Sequence, residues 1–114
     1  MTDTKIESAK RPCVYMLHCK GGSLYTGWTN DFEKRLAAHQ SGKGAKYTRS
    51  HLPVEPVYLE YLPDKITATQ REAEIKKLTA EKKRKLVESE SNELCRRSGR
   101  LMNNSKPPTN EEQK

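Results

Sequence analysis

Two phenols, a guanidinium and an imidazole crowd into one short part of this chain. Tyr15 and Tyr25 stand ten residues apart, Arg35 follows ten residues later, and His39 four after that. Phenols and imidazoles exchange protons, and a guanidinium neutralises an anion through paired N–H donors. Gathered at one point, such groups can activate a water or hold a phosphate. Singly, each is ordinary: tyrosine fills strands, and an arginine four residues before a histidine commonly marks a helix surface. The set means something only if the fold brings its members together.

The elements that must do so are legible. CVYMLHC, residues 13–19, is a β-rich run, KGGS is a turn signal, and LYTGWT resumes as a second strand, so a hairpin is expected. Its turn decides where the phenols go. A two-residue loop at Gly21-Gly22 puts Tyr15 and Tyr25 on opposite faces; a three-residue loop, Lys20-Gly21-Gly22, pairs Cys19 with Ser23 and puts both on one face. The second closure, a type I turn followed by a glycine in the left-handed region, is the one expected here. Gly27 leaves room beside Tyr25 for a ligand or for an approaching helix.

TNDFEKRLAAHQSG then reads as a helix, with Asn30 as its cap, Glu33 three residues on, and Gly42 to end it. On a helical wheel Phe32 and Leu36 define the apolar face. His39 falls between them, and Arg35 lies on the margin, about 60° from Phe32. Burying such groups without partners costs several kcal/mol, so the sheet must supply the partners.

SGKGAKYTRSHLP reads as a loop, and VEPVYLEYL as a third strand in which Pro56 calls for an edge position or a bulge. Thr67 is expected to cap a second helix, ATQREAEIKKL, and Thr79 a third, AEKKRKLVE. The expected fold is α+β: a three-stranded antiparallel sheet flanked by helices, β-β-α-β-α-α, over residues 12–88. Residues 1–11 are expected to form a flexible arm and residues 89–114 a disordered tail, since neither has much apolar area to offset ordering entropy.

Composition narrows the classes. With 114 residues, 32% of them hydrophobic and a mean hydropathy of -1.02, the chain supports one domain with a modest core. No apolar run suits a membrane helix and the opening MTDTKIESAKRP is no secretory signal, so the cytoplasm is the expected compartment. Cys13, Cys19 and Cys95 offer neither a disulfide framework nor zinc spacing and are expected as small core hydrophobes. A net charge of +7 favours a polyanionic partner.

The pattern VYM, YTG, Arg35 and His39 resembles the motif of the GIY-YIG nucleases, and SGKGAKYTR resembles the small stand-alone bacterial branch of that family. REAEIKKL resembles the family's glutamate-bearing helix, which maps Glu72 onto the metal-binding carboxylate. Glu74, the rival, lies 200° from Glu72 on the wheel and farther from the expected buried stripe of Ala68, Ile75 and Leu78. The glycine and isoleucine positions carry Cys13, Val14 and Thr26 instead, while both tyrosines are kept. A downstream asparagine that some members use has no evident counterpart.

The resemblance implies an endonuclease that hydrolyses nucleic-acid phosphodiesters, DNA foremost, with one Mg²⁺ or Mn²⁺. Tyr15 is the implied general base, made acidic by Arg35, His39 and the metal; Arg35 meets a phosphate oxygen, Tyr25 positions water or phosphate, and Glu72 holds the metal. Lys43, Lys46, Tyr47 and Arg49 form a basic loop suited to gripping a nucleic-acid backbone, and EKKRK is a solvated helix face or a further phosphate track. The other function class is a nucleic-acid-binding module with this fold that is inactive alone or needs a protein partner.

Overall fold

The computed structural model describes residues 11–97. Strand β1 spans Cys13–Cys19, β2 Leu24–Thr29 and β3 Val54–Tyr61, in the spatial order β2-β1-β3 with both pairs antiparallel. Burial explains why β1 takes the centre. Six of its seven residues are buried, with His18 the exception, whereas β2 and β3 carry many half-exposed positions. A near-continuous apolar run needs cover on both faces, and only the middle strand has it.

The hairpin closes over three residues. Cys19 N–H donates to the Ser23 carbonyl at 2.9 Å, and the register sets Leu17 opposite Tyr25 and Tyr15 opposite Gly27. The two phenols therefore share a face. The turn is not a type I turn ending in one left-handed glycine, because Gly21 and Gly22 both have positive φ, 95° and 96°. Pro56 meets both expectations at once: β3 is an edge strand, and its pairing with β1 shifts register between Met16 and Leu17, where Tyr58 and Pro56 are the successive partners.

Helix α1 (Phe32–Gln40) lies against the face bearing Tyr15, in a core of Cys13, Tyr15, Leu17, Cys19, Phe32, Val54 and Leu59. Helices α3 (Lys65–Lys76) and α4 (Ala80–Val87) cover the other face, where Val14, Met16, Tyr58, Ala68 and Ile75 form a second core. The segment expected as a plain loop contains a short helix, α2 (Lys46–Arg49), because Thr48 points inward between exposed neighbours. Two caps differ from expectation. Asp31, not Asn30, accepts from Lys34 N–H, and Asp64, not Thr67, caps α3 by accepting from the Thr67 N–H. In each case the carboxylate occupies the position just before the first helical residue, where the free N–H groups point. Thr79 caps α4 as expected.

The packed chain also continues past Glu88. Residues from Ser89 on, assigned by composition to the tail, include helix α5 (Glu93–Arg97) and Asn92, which is 1% exposed. The Asn92 amide donates to the carbonyls of Val57 (2.8 Å) and Val87 (2.7 Å), and its oxygen accepts from Leu59 N–H (3.1 Å) and Leu94 N–H (3.0 Å). One side chain thus satisfies backbone groups along the free edge of β3, which would otherwise need solvent or another strand. The expected arm up to residue 10 and the rest of the tail beyond residue 97 lie outside the described residues.

Asn92→Ala should therefore destabilise the fold by about 2–4 kcal/mol, the range for leaving several buried backbone groups unpaired. Asn92→Asp, which keeps the acceptor and loses both donors, should also be clearly less stable. Urea titration checks both; a loss under about 0.5 kcal/mol for the alanine variant would show that water replaces the amide freely.

Candidate active site

Four of the five residues singled out for chemistry meet on the α1 face of the sheet. His39 lies wholly inside, and its ring packs edge-on against Tyr15 and Tyr25 at centroid distances of 5.7 and 5.3 Å. The Tyr15 hydroxyl is 2.8 Å from His39 Nε2. Room for that hydroxyl comes from Gly27, where a Cβ would sit 2.7 Å from it, so the glycine serves Tyr15 as much as Tyr25. Arg35, half-buried, stands one helical turn before His39, with its side chain beside the Tyr15 phenol.

On its far side the imidazole meets Thr48, with Nδ1 2.8 Å from Oγ1, and Thr48 Oγ1 donates to the Ala45 carbonyl at 3.0 Å. Thr48 and Gly44 are the residues that motif reading passed over. A Cβ on Gly44 would overlap His39 Nδ1 and lie 2.8 Å from His39 Cα, so the loop can close on the imidazole only with glycine there. The available signal was local: one threonine flanked by exposed polar side chains in a segment too polar to pack otherwise.

Burial shapes the electrostatics. The Tyr15 phenol is pushed up to about 12, chiefly by desolvation, with the neighbouring Arg35 guanidinium working the other way. His39 is pushed down to about 4, first by desolvation and then by the Arg35 charge. This corrects an expectation: at neutral pH His39 is uncharged and supplies no positive charge to Tyr15. It is a neutral hydrogen-bond partner, and Arg35 is the cation beside the phenol.

Tyr25 continues into an aromatic row. Its ring stacks on Tyr47 at 6.2 Å, Tyr47 stacks on His51 at 4.0 Å, and the Tyr47 hydroxyl lies 2.6 Å from Ser23 Oγ. Lys43, Lys46 and Arg49 are exposed around it. Glu72 approaches differently. It projects from α3, the helix on the opposite face, and its carboxylate pairs with Lys76 at 3.2 Å. Lys76 in turn lines a groove around the outer edge of β2, with Leu24, Tyr25, Thr26, Tyr47 and Lys83. The structure thus gathers Tyr15, Tyr25, Arg35 and His39 tightly, whereas Glu72 stands on the helix of the opposite face beside Lys76, which lines this groove. Glu72 is 21% exposed against 65% for Glu74, which is drawn outward to Arg71. Thr26, at the position where the family motif has isoleucine, holds a buried hydroxyl without a partner.

No group of three or more His, Cys, Asp or Glu side chains suited to a metal occurs among the described residues. A single, partly exposed carboxylate such as Glu72 does not suit zinc, which takes several protein ligands. It fits Mg²⁺ or Mn²⁺, hard cations that accept one carboxylate and keep most of their water.

Residues 11–85 match the sequence model of the GIY-YIG catalytic domain. A UPF0213 protein of Clostridium perfringens is 55% identical over 78 residues, which are 68% of this chain and 84% of that one. A UPF0213 protein of Natronomonas pharaonis is 50% identical over 78 residues, covering 68% and 92%. Among solved structures, the solution NMR structure of a UPF0213 protein from Bacillus halodurans shares 44% identity over 71% of this chain and 86% of that one, with a TM-score of 0.48.

The depressed His39 value has a thermodynamic consequence. Between pH 6.5 and about 4 the unfolded chain binds a proton at His39 that the folded chain refuses. Stability from this group is complete above pH 6.5 and is lost as pH falls toward 4, by up to about 3 kcal/mol. Urea titrations at pH 7 and pH 5 should show a drop of about 2 kcal/mol in the wild type that is much reduced in His39→Gln. Equal drops would mean that the imidazole takes up a proton inside the fold. Thr26→Val, which removes the unpartnered hydroxyl at constant shape, should raise stability by about 1 kcal/mol in the same assay.

Proposed function

This chain belongs to the GIY-YIG catalytic-domain family, and we propose that it is an endonuclease hydrolysing phosphodiester bonds, with DNA as the foremost substrate and one divalent metal ion as cofactor. The observation that carries this reading is the hydrogen-bonded series Tyr15, His39, Thr48 with Arg35 beside its outer end. A phenol buried only to fill a strand does not need an uncharged imidazole held in a second hydrogen bond behind it.

The proposed roles follow from the geometry. Tyr15 commits its proton to His39 Nε2, which leaves an oxygen lone pair for a water in front of the sheet. As that water attacks phosphorus, its proton passes to the Tyr15 oxygen and the phenol proton to His39. At rest the proton stays on Tyr15, since the phenol stands at about 12 and the imidazole at about 4. The base is therefore silent until charge appears in front of it. Arg35 meets a non-bridging phosphate oxygen as negative charge builds there. Tyr25, at the mouth of the β2 groove, positions the water or the phosphate. Glu72 would hold Mg²⁺ or Mn²⁺, and the ion would supply stabilisation of negative charge on the phosphate oxygens. Lys43, Lys46 and Arg49 contribute phosphate contacts without base readout, with Tyr47 packed among them.

One observation favours the second reading, a nucleic-acid-binding module that needs a partner for cleavage. The Glu72 carboxylate is already engaged by Lys76. The Glu72 side chain is only 21% exposed, so the pair has to open before the carboxylate can take a divalent ion.

A cleavage assay with Mg²⁺ or Mn²⁺ on single-stranded, duplex, flap and junction substrates separates the two. Glu72→Gln should abolish cleavage by orders of magnitude while metal-free binding holds or tightens slightly. Arg35→Ala should reduce cleavage about 10²–10³-fold with only a few-fold effect on binding. Tyr15→Phe keeps the ring and removes the hydroxyl, so it should fold and cleave poorly. Affinity should be sequence-indifferent and fall steeply with salt. Normal rates in both Glu72→Gln and Tyr15→Phe would sink the nuclease assignment for this site. A complete panel without cleavage, but with salt-sensitive binding, would favour the binding module.

A further inference from the structure

We propose that Thr48 is a positioning residue for the reaction, holding His39 in the one tautomer that lets Tyr15 pass on its proton. This rests on the proposed nuclease reading for its consequence, but the tautomer itself follows from hydrogen-bond inventory. Thr48 is 0% exposed, and its hydroxyl carries a single proton. That proton is committed to the Ala45 carbonyl at 3.0 Å, a group that can only accept. His39 Nδ1, 2.8 Å from the same oxygen, must then donate, because two lone pairs facing each other inside the fold leave both unsatisfied. With the ring proton on Nδ1, Nε2 is bare, and at 2.8 Å it accepts from the Tyr15 hydroxyl.

The opposite tautomer reverses every step. An Nε2–H would donate to Tyr15, turn the phenol proton outward toward the water, and leave no acceptor nitrogen facing Tyr15. In the proposed direction the transfers balance. The phenol O–H breaks as Nε2–H forms, the water O–H breaks as the phenol O–H is restored, and the hydroxide oxygen bonds to phosphorus as the bridging P–O bond breaks, the leaving oxygen taking its proton from solvent. The imidazolium so formed keeps Nδ1–H on Thr48, whose oxygen faces the new charge. Position 48 is also separated in function from its neighbours. Lys46 and Arg49 on the same short helix are exposed to a substrate backbone, whereas Thr48 turns inward and touches none of it. Gly44 completes the device by leaving the loop free to approach Nδ1.

The test compares Thr48→Val, which keeps the shape and removes the acceptor, with Thr48→Ser, which keeps the hydroxyl. Imidazole ¹⁵N NMR of the wild-type chain at pH 7 should show Nδ1 protonated and Nε2 bare. In Thr48→Val the population should move toward Nε2–H, and kcat should fall about 10–100-fold with KM within about twofold, the usual scale for a group acting through another. Thr48→Ser should restore the tautomer and most of the rate. An Nε2–H imidazole in the wild type overturns the proposal, and so does a Val variant that cleaves at the wild-type rate. Should Thr48→Val fail to fold, the wild-type and Ser spectra decide: a Ser variant with Nε2–H and full rate counts against Thr48. If the wild type cleaves nothing on the full panel, the nuclease reading fails separately, and the wild-type spectrum still shows which nitrogen carries the ring proton beside Thr48.

Discussion

A buried imidazole has two ring nitrogens, and inside a protein both must be answered. His39 is the residue on which this structure turns, because it lies wholly within the interface between α1 and the sheet. One nitrogen is met by the Tyr15 hydroxyl from the central strand and the other by Thr48 from the loop. Three separate parts of the chain are thereby fixed to one ring. Removing any of them leaves a polar atom in a medium that cannot solvate it. The same enclosure keeps the ring neutral and the phenol protonated, so structural demand and proposed chemistry come from a single set of hydrogen bonds.

The rest of the fold serves that contact. The three-residue closure of the hairpin sets the phase of β2, and a shift of one residue would carry Tyr25 to the α3 face. Gly27 then gives the Tyr15 hydroxyl its space, and Gly44 does the same for the imidazole. Asn92 acts at the far edge, where it ties off β3 and keeps that side of the sheet from seeking another strand. The basic loop has two layers: cations and Tyr47 outward, Thr48 inward. A segment that composition marks as solvated is thus half of the enclosure around His39.

Much of this was legible because local rules agree with the tertiary outcome. β1 reads as a buried strand since six of its seven side chains have cover, and α1 reads as amphipathic with His39 among Phe32 and Leu36. The caps at Asp31 and Asp64 were missed by one and three residues because several capping side chains compete near each helix start, and the choice depends on which one the entering chain brings closest. Asn92 was invisible for a different reason. Its four partners lie on β3, α4 and α5, and no periodicity or motif announces a side chain whose purpose is to answer distant backbone groups.

By itself the sequence determined the α+β order of elements, the presence of the two phenols, Arg35 and His39 in register with a family pattern, and the excess of positive charge. Those features depend on side-chain type and short spacing, which folding does not alter. Only the tertiary structure decided the charge state of His39, since desolvation is a property of what surrounds a group and not of its neighbours in the chain. It alone paired Thr48 with Nδ1, and it alone set Glu72 on the helix of the far face beside Lys76. Spacing along the chain says which groups are available; which proton each one holds depends on the packing that encloses them.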